Sequence, residues 1–359
     1  MELGFIQSEI DPCLFLKPNI FVIVHVDDSG IAYKDEDVVN EFILQLKEKG
    51  LELTKEESFE EYLGITYHRK RDKIILTQTG LIRKILNALN LQHCKPNVTP
   101  AATESLGLDP DGESIKESWS YPSVVGMLLY LSCNTRPDIV FAVSQVARFT
   151  HAPKESHSKA VKMIGRYLAG TFDKGTIISR PSSFGLQSFS DSDFAGLFRR
   201  DPDHSPSSSK SRSGYIIKFC GCPLLWKSKL QPTIALSTSE AEYYSLSQLM
   251  RALIPICSLL KHFFSIVVPP ERFMPLTQHI PCVVLVDNTS ALSLARDQQV
   301  TSRTRHYHCR YHFFWSNIGT RGLKISVEYV STDEQDADFF TKGVPRLTFE
   351  SNRNRVQGW

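Results

Sequence analysis

The sequence predicts an α/β protein, with a mixed sheet of about five strands flanked by helices in its second half. Three stretches carry that expectation. Leu236-Ser237-Thr238-Ser239-Glu240 has the S-x-x-E spacing of a capping box, so a helix begins at Ser237. Cys282-Val283-Val284-Leu285-Val286 is a short apolar run that ends in Asp287, and Asn288-Thr289-Ser290 then opens another helix. Leu186-Gln187-Ser188-Phe189-Ser190-Asp191-Ser192-Asp193 reads as a strand, with hairpin partners at 215–219 and 224–227.

Length and composition set the outer bounds. A chain of 359 residues holds two domains of ordinary size. Its 42% hydrophobic and 22% charged residues describe a folded chain, not a disordered one. A net charge of +2 does not announce a nucleic-acid partner through bulk charge. The 8 cysteines form no C-x-x-C pair, and Cys220 and Cys222 have no second pair to complete a zinc site. Reduced, intracellular thiols are expected. No signal peptide and no apolar run near the ~18 residues of a membrane helix is evident, so no membrane span is expected.

Taken in order, residues 19–26 read as a strand, Asp27-Asp28 as a turn and 29–33 as the returning strand. Adjacent carboxylates on such a turn repel each other and invite a cation, yet Asp-Asp is also good turn chemistry. Residues 35–49 read as a helix, Lys73–Thr77 as a strand and 80–91 as a helix. The stretch 95–120, rich in Pro, Gly, Ser and acid, reads as an exposed linker. Apolar helical text follows at 121–147, and an amphipathic helix at 157–168. Residues 197–213 read as a mobile Ser-rich surface loop, 234–236 as a short strand, and 332–340 as a helix capped by Thr332 and Gln335.

The candidate chemistry lies in carboxylates. Glu240 belongs to the capping box, whereas Glu242 shares a helix face with Leu246, Leu249 and Leu253. A carboxylate on an apolar stripe is costly unless something pairs with it, and a metal ion is one such partner. Asp191, Asp287 and Asp338 are further candidates, and oxygen ligands of this kind suit hard divalent cations. Asp193 shares a strand face with Asp191 and rivals it. Asp287 also reads as a helix N-cap. Trp226, Lys227 and Lys229 combine an aromatic ring with charge, as nucleic-acid strands require. Taken alone, these residues fit a sheet-edge Trp with solvated lysines better. Arg303 and Arg305 lie in a second basic, aromatic stretch. His306, His308 and His312 beside them do not share one helical face, so no zinc site is expected.

At these residues the chain resembles the Pol polyprotein of Ty1/copia-type retrotransposons. The matching text is Ser190-Asp191-Ser192-Asp193-Phe194-Ala195-Gly196, Ser211-Arg212-Ser213-Gly214-Tyr215, Pro223-Leu224-Leu225-Trp226-Lys227, Asp287-Asn288, Ser302-Arg303-Thr304-Arg305-His306 and Asp336-Ala337-Asp338. The resemblance implies a ribonuclease H-like domain over 184–345 with a tail at 346–359. It also implies a truncated reverse transcriptase palm over 1–94, the linker at 95–120 and a thumb- or connection-like helical segment over 121–183. The implied catalytic and metal-binding four are Asp191, Glu242, Asp287 and Asp338. The implied cofactor is a pair of Mg²⁺ ions about 4 Å apart, with Mn²⁺ as a substitute. The implied reaction is endonucleolytic hydrolysis of the RNA strand of an RNA–DNA hybrid.

Other parts of a Pol polyprotein are implied partners, and the cytoplasm (in a virus-like particle) or the nucleus is the implied location. Asp27 and Asp28 resemble the metal-binding pair of the polymerase. His25 stands where the family has Tyr, and Ser29 where it has a bulky aliphatic residue. The first catalytic strand of the palm and the fingers would precede Met1, so no DNA synthesis is expected from this chain alone. The alternative is a decayed element that binds nucleic acid without cleaving it.

Overall fold

The computed structural model describes residues 3–54, 56, 60–181, 183–198, 200–202, 205, 207–268, 280–302, 304–307 and 309–359. The chain opens with an antiparallel sheet of β1 (Ile6–Gln7), β2 (Leu14–Lys17), β3 (Ile20–His25) and β4 (Asp28–Tyr33), in chain order. Ile20 and Val22 alternate inward beside Phe5, and α1 (Glu36–Glu48) lays Val38 and Phe42 over them. That inward alternation fixes the ladder with His25 opposite Asp28. The turn is therefore Val26-Asp27, one residue earlier than expected, and Val26 takes the positive φ of 55° that a two-residue hairpin demands.

A second sheet joins β5 (Glu61–Tyr62), β6 (Ile65–Arg69) and β7 (Lys73–Thr77) to the distant β8 (Thr176–Ser179). Between β7 and β8 lie α2 (Thr79–Ala88), α3 (Tyr121–Asn134), α4 (Val140–Val146) and α5 (Glu155–Gly170). The apolar stretch 121–147 is broken into α3 and α4 because Pro137 has no N–H for a continuing helix.

The expected exposed linker is instead held along these helices. Leu106 and Trp119 pack against the helical core, and the Leu106 N–H donates to Gln145 Oε1 at 2.7 Å. The described part of the Ser-rich loop is likewise anchored, in contrast to the mobile loop expected. Asp201, 2% exposed, accepts from the Leu108 N–H at 2.7 Å and pairs with Arg148 at 3.0 Å. Polar composition implied exposure in both stretches. Buried hydrogen bonding between the two explains why their described residues pack against the molecule instead.

The central sheet contains β9 (Leu186–Asp193), β10 (Arg212–Phe219), β11 (Cys222–Leu230), β12 (Cys282–Val286) and β13 (Ser326–Tyr329). Its order is β11-β10-β9-β12-β13, antiparallel among the first three strands and parallel from β9 to β12 to β13. One face carries α6 (Thr238–Val267) and α7 (Thr289–Asp297), with Leu246, Leu249, Leu253, Val284 and Leu294 in a shared core. The other face receives the helical segment, where Leu128, Val143 and Ile164 share a core with Phe189, Ile216 and Trp226. By length and composition alone α6 is apolar enough to cross a membrane. Its first half is the core helix of this sheet, with Ala241, Tyr243, Leu246, Leu249 and Leu253 buried.

Three smaller expectations fail. Residues 234–236 form no strand. The helix expected over 332–340 is two short 3-10 turns, Thr332–Glu334 and Asp338–Phe340. The tail is α8 (Arg346–Gln357), which buries Phe349 and Val356 in the helical core. Arg355 and Lys218 both pair with the buried Asp336, at 2.8 and 2.5 Å.

Candidate active site

Each carboxylate reaches the site by a different local route. Asp191 ends the buried part of β9 and is 6% exposed. Its register partner on β10 is Gly214. A Cβ on Gly214 would stand 2.6 Å from Thr341 Cγ2 and 2.9 Å from Phe340 Cβ. The glycine therefore lets the Asp338–Phe340 turn close over the strand.

Glu242 comes from the first turns of α6. Ser237 accepts from the Glu240 N–H at 3.1 Å and is the N-cap, as expected, whereas Glu240 reaches one residue past the N-cap, to the Leu236 N–H at 2.7 Å, so only half of the expected capping box is made. One turn beyond Glu242, the Ser245 hydroxyl donates to the Asp191 carbonyl at 2.8 Å and ties α6 to β9. Glu242 Oε1 accepts from the Ser192 N–H at 3.3 Å.

Asp287 follows β12 directly. The helix after it is capped by Asn288, whose side chain accepts from the Ala291 N–H at 2.9 Å. Asp287 is thereby free of the capping role that its position suggested, and its Oδ2 accepts from the Thr332 hydroxyl at 3.2 Å.

These routes converge. One ligand oxygen from each of Asp191, Glu242 and Asp287 lies within 4.8 Å of the others. Asp338 is buried nearby but stands outside that group, with Oδ1 2.5 Å from Lys342 Nζ. Among its rivals, Asp336 is taken by Lys218 and Arg355, and Asp333 is exposed. Asp193 lies opposite Arg212, half-buried, with its carboxyl raised by burial.

The electrostatics follow from crowding. Burial first, then the carboxylates of Asp338 and Asp287, push Asp191 from 3.8 up to about 7, against the opposing pull of Thr341 and Lys342. Burial and the carboxylates of Asp191 and Asp287 likewise raise Glu242. The Thr341 hydroxyl lies 2.5 Å from Asp191 Oδ2 and 2.7 Å from the Asp338 carbonyl, so its single proton is shared between these two acceptors. Such a cluster fits hard divalent cations: every donor is oxygen, three elements hold the donors fixed, and a cation would relieve the repulsion among the carboxylates.

The other expected site residues divide. Asp27 and Asp28 sit exposed on the β3–β4 hairpin and belong to no group of three potential ligands among the described residues. Trp226 does not present its ring to a ligand. It is 8% exposed, packed in the helical core, and its indole N–H donates to the Ser132 carbonyl at 2.7 Å. Strand alternation sends Trp226 to the helix-covered face and leaves Lys227 and Lys229 exposed. Arg305 is exposed, whereas Arg303 and His308 lie outside the described residues. His306 faces Glu240 at 3.6 Å and His312 Nδ1 faces the Tyr243 hydroxyl at 2.8 Å, so these two make separate contacts. Ser245, Gly214, Thr341 and Lys342 were not expected at the site. Their spacing carries a signal: Ser245 follows Glu242 by one turn, and Thr341 and Lys342 follow Asp338 by one turn.

The strand order of the central sheet, with acidic residues at adjoining ends of β9 and β12 beside a helix-borne Glu, defines a ribonuclease H-like α/β fold. A family model described as reverse transcriptase (RNA-dependent DNA polymerase) matches residues 1–103. The chain is 31% identical over 360 residues to the retrovirus-related Pol polyprotein from transposon RE1 of Arabidopsis thaliana, covering 99% of this chain and 23% of that protein. It is 33% identical over 359 residues to the retrovirus-related Pol polyprotein from transposon TNT 1-94 of Nicotiana tabacum, covering 96% of this chain and 25% of that protein. Among solved structures it is similar to RNase H1 from Halobacterium salinarum, with 10% identity and a TM-score of 0.28 over 42% of this chain and 89% of that one. The chain belongs to the family of retrovirus-related transposon Pol polyproteins. It spans about a quarter of the length of the curated relatives it matches.

Proposed function

We propose that this chain is the ribonuclease H part of a retrotransposon polyprotein and hydrolyses the RNA strand of RNA–DNA hybrids. The observation that carries the reading is the convergence of Asp191, Glu242 and Asp287, from a strand, a helix and a second strand end, within 4.8 Å. Asp191, Glu242, Asp287 and Asp338 would hold two divalent ions, Mg²⁺ or Mn²⁺. When bound, such ions lower the pKa of an attacking water and stabilise the leaving oxygen.

The protein's own groups orient the ligands. Thr341 holds Asp191 Oδ2, and the Ser192 N–H holds Glu242 Oε1, which leaves each carboxylate one oxygen to turn to the site. Ser245 and Gln335 pin the β9 backbone through Asp191 O and Ser190 O, at 2.8 and 3.1 Å, so the strand end does not yield when charge accumulates. Lys227, Lys229, Arg303 and Arg305 would contact phosphates, which position a duplex without reading its sequence. Hybrid selectivity would come from 2′-hydroxyls and duplex shape.

The reverse transcriptase-like part would not polymerise in this chain. Its hairpin offers only the two exposed carboxylates Asp27 and Asp28, and His25 replaces the family's tyrosine. The reaction would take place inside the cell, alongside other parts of the polyprotein. Incubating the purified chain with labelled hybrid and labelled single-stranded RNA in Mg²⁺, and separately with primer and template, tests both statements. Hybrid-specific cleavage without primer extension is expected. Equal cleavage of single-stranded RNA, or extension, would refute the corresponding half.

A further inference from the structure

Among the described residues, Lys342 is the positively charged side chain paired with one of the four expected ligands. Its ammonium lies 2.5 Å from Asp338 Oδ1, one helical turn along the chain. The carboxylates of Asp338, Asp191 and Asp193 all attract it, and together they outweigh the burial that would otherwise weaken its charge. Asp338 is the member of the expected four that stands apart from the 4.8 Å group. The Lys342 side chain is 47% exposed while that of Asp338 is 11% exposed. The acid is thus fixed and the ammonium is at the end of a flexible stem with solvent behind it.

We infer that the Lys342 ammonium is the resident cation of this site. It neutralises the carboxylates when no divalent ion is bound, keeps Asp338 out of the ligand group, and swings to solvent when ions enter. The inference rests on the proposed metal site. A lysine ammonium and a divalent ion both require the same oxygens, and two cations in contact at one carboxylate repel each other. Binding of divalent ions therefore competes with the Lys342–Asp338 pair. The protein does not face four bare carboxylates in the metal-free state.

The test needs no nucleic acid. Mn²⁺ is titrated by calorimetry into the full chain and into Lys342→Gln and Lys342→Arg at about pH 8, above the value of about 7 to which Asp191 is raised. The Gln variant is expected to bind roughly tenfold more tightly than the wild type, and the Arg variant, which keeps the charge, within a few-fold of it. Without metal, Lys342→Gln is also expected to melt below the wild type and to gain more in Tm on adding Mn²⁺. This second readout still reports if the metal-free variant is too unstable for calorimetry. Equal or weaker Mn²⁺ binding by Lys342→Gln, or no Mn²⁺ binding by either form, would overturn the inference. Failure to cleave hybrid with the competition intact would instead sink the ribonuclease reading and leave the role of Lys342 standing.

Discussion

At the residue scale, Asp191 shows what burial and crowding do to a carboxylate. Its carboxyl is raised from 3.8 to about 7 in the folded chain, first by burial and then by its acidic neighbours. The folded state thus binds this proton more tightly than the unfolded state. The stability it contributes is full below the unfolded value and is lost as pH rises through about 7. In chelator, the wild-type Tm is expected to fall over that window. Asp191→Asn removes the titration, so its profile should be flatter and its metal-free Tm higher at alkaline pH. Thermal melts across pH measure this directly. Parallel profiles for the two proteins would count against a crowded carboxylate site.

Lys227 and Lys229 behave differently from Trp226 at the same scale. Alanine at both lysines should leave Tm nearly unchanged, since both are exposed, but weaken hybrid binding and reduce its salt dependence. Trp226→Ala should cost about 3–5 kcal/mol of stability by leaving a cavity in the helical core. Binding measured at several salt concentrations, beside denaturant melts, separates the two. Loss of stability in the lysine variant would show that those side chains pack rather than bind.

Of the elements that carry the candidate site, one was read differently from sequence. Glu242 was legible because the N-cap at Ser237 fixed the phase of α6 and placed a carboxylate on an apolar face. Asp287 was legible because charge ended an apolar run, although its rival role as a cap was settled only by Asn288 taking that role. Asp338 was expected on a helix and lies instead on a 3-10 turn. Spacing alone does not distinguish the two, because both bring residues three apart to one side. What lets that turn close over β10 is the absence of a side chain at Gly214, and a glycine in a strand does not say which element approaches it. Gly214→Ala would push its Cβ into Thr341 and Phe340. A loss of about 1–3 kcal/mol is expected, with a larger loss of hybrid cleavage than of stability because Asp338 and Thr341 move together. Denaturant melts and initial rates on the same preparation check this. Full activity in Gly214→Ala would show that the turn tolerates displacement.

On the scale of the whole molecule, the central sheet is covered on both faces, by α6 and α7 on one side and by the helical segment with α8 on the other. Composition gave no warning of this. The polar stretch 95–120 and the final residues look like linker and tail, but their few apolar side chains, such as Leu106, Trp119, Phe349 and Val356, pack against that core. Which face of β11 is covered decides the role of Trp226, and strand alternation shows only that one face differs from the other. The N-terminal sheet was legible as a hairpin, whereas the pairing of β7 with the distant β8 was not, because partners far apart in sequence leave no local signal.

The measurement that tests the central claim most directly is cleavage of a labelled RNA–DNA hybrid in Mg²⁺ by the purified chain, beside Asp287→Asn. Asp287 is half-buried at a strand end and bears no capping bond, so its amide variant should fold normally. The account predicts internal cuts in the RNA strand by the wild type and a loss of at least about a hundredfold in the variant. No cleavage by a folded wild-type chain in either Mg²⁺ or Mn²⁺, or equal cleavage by both proteins, would contradict it.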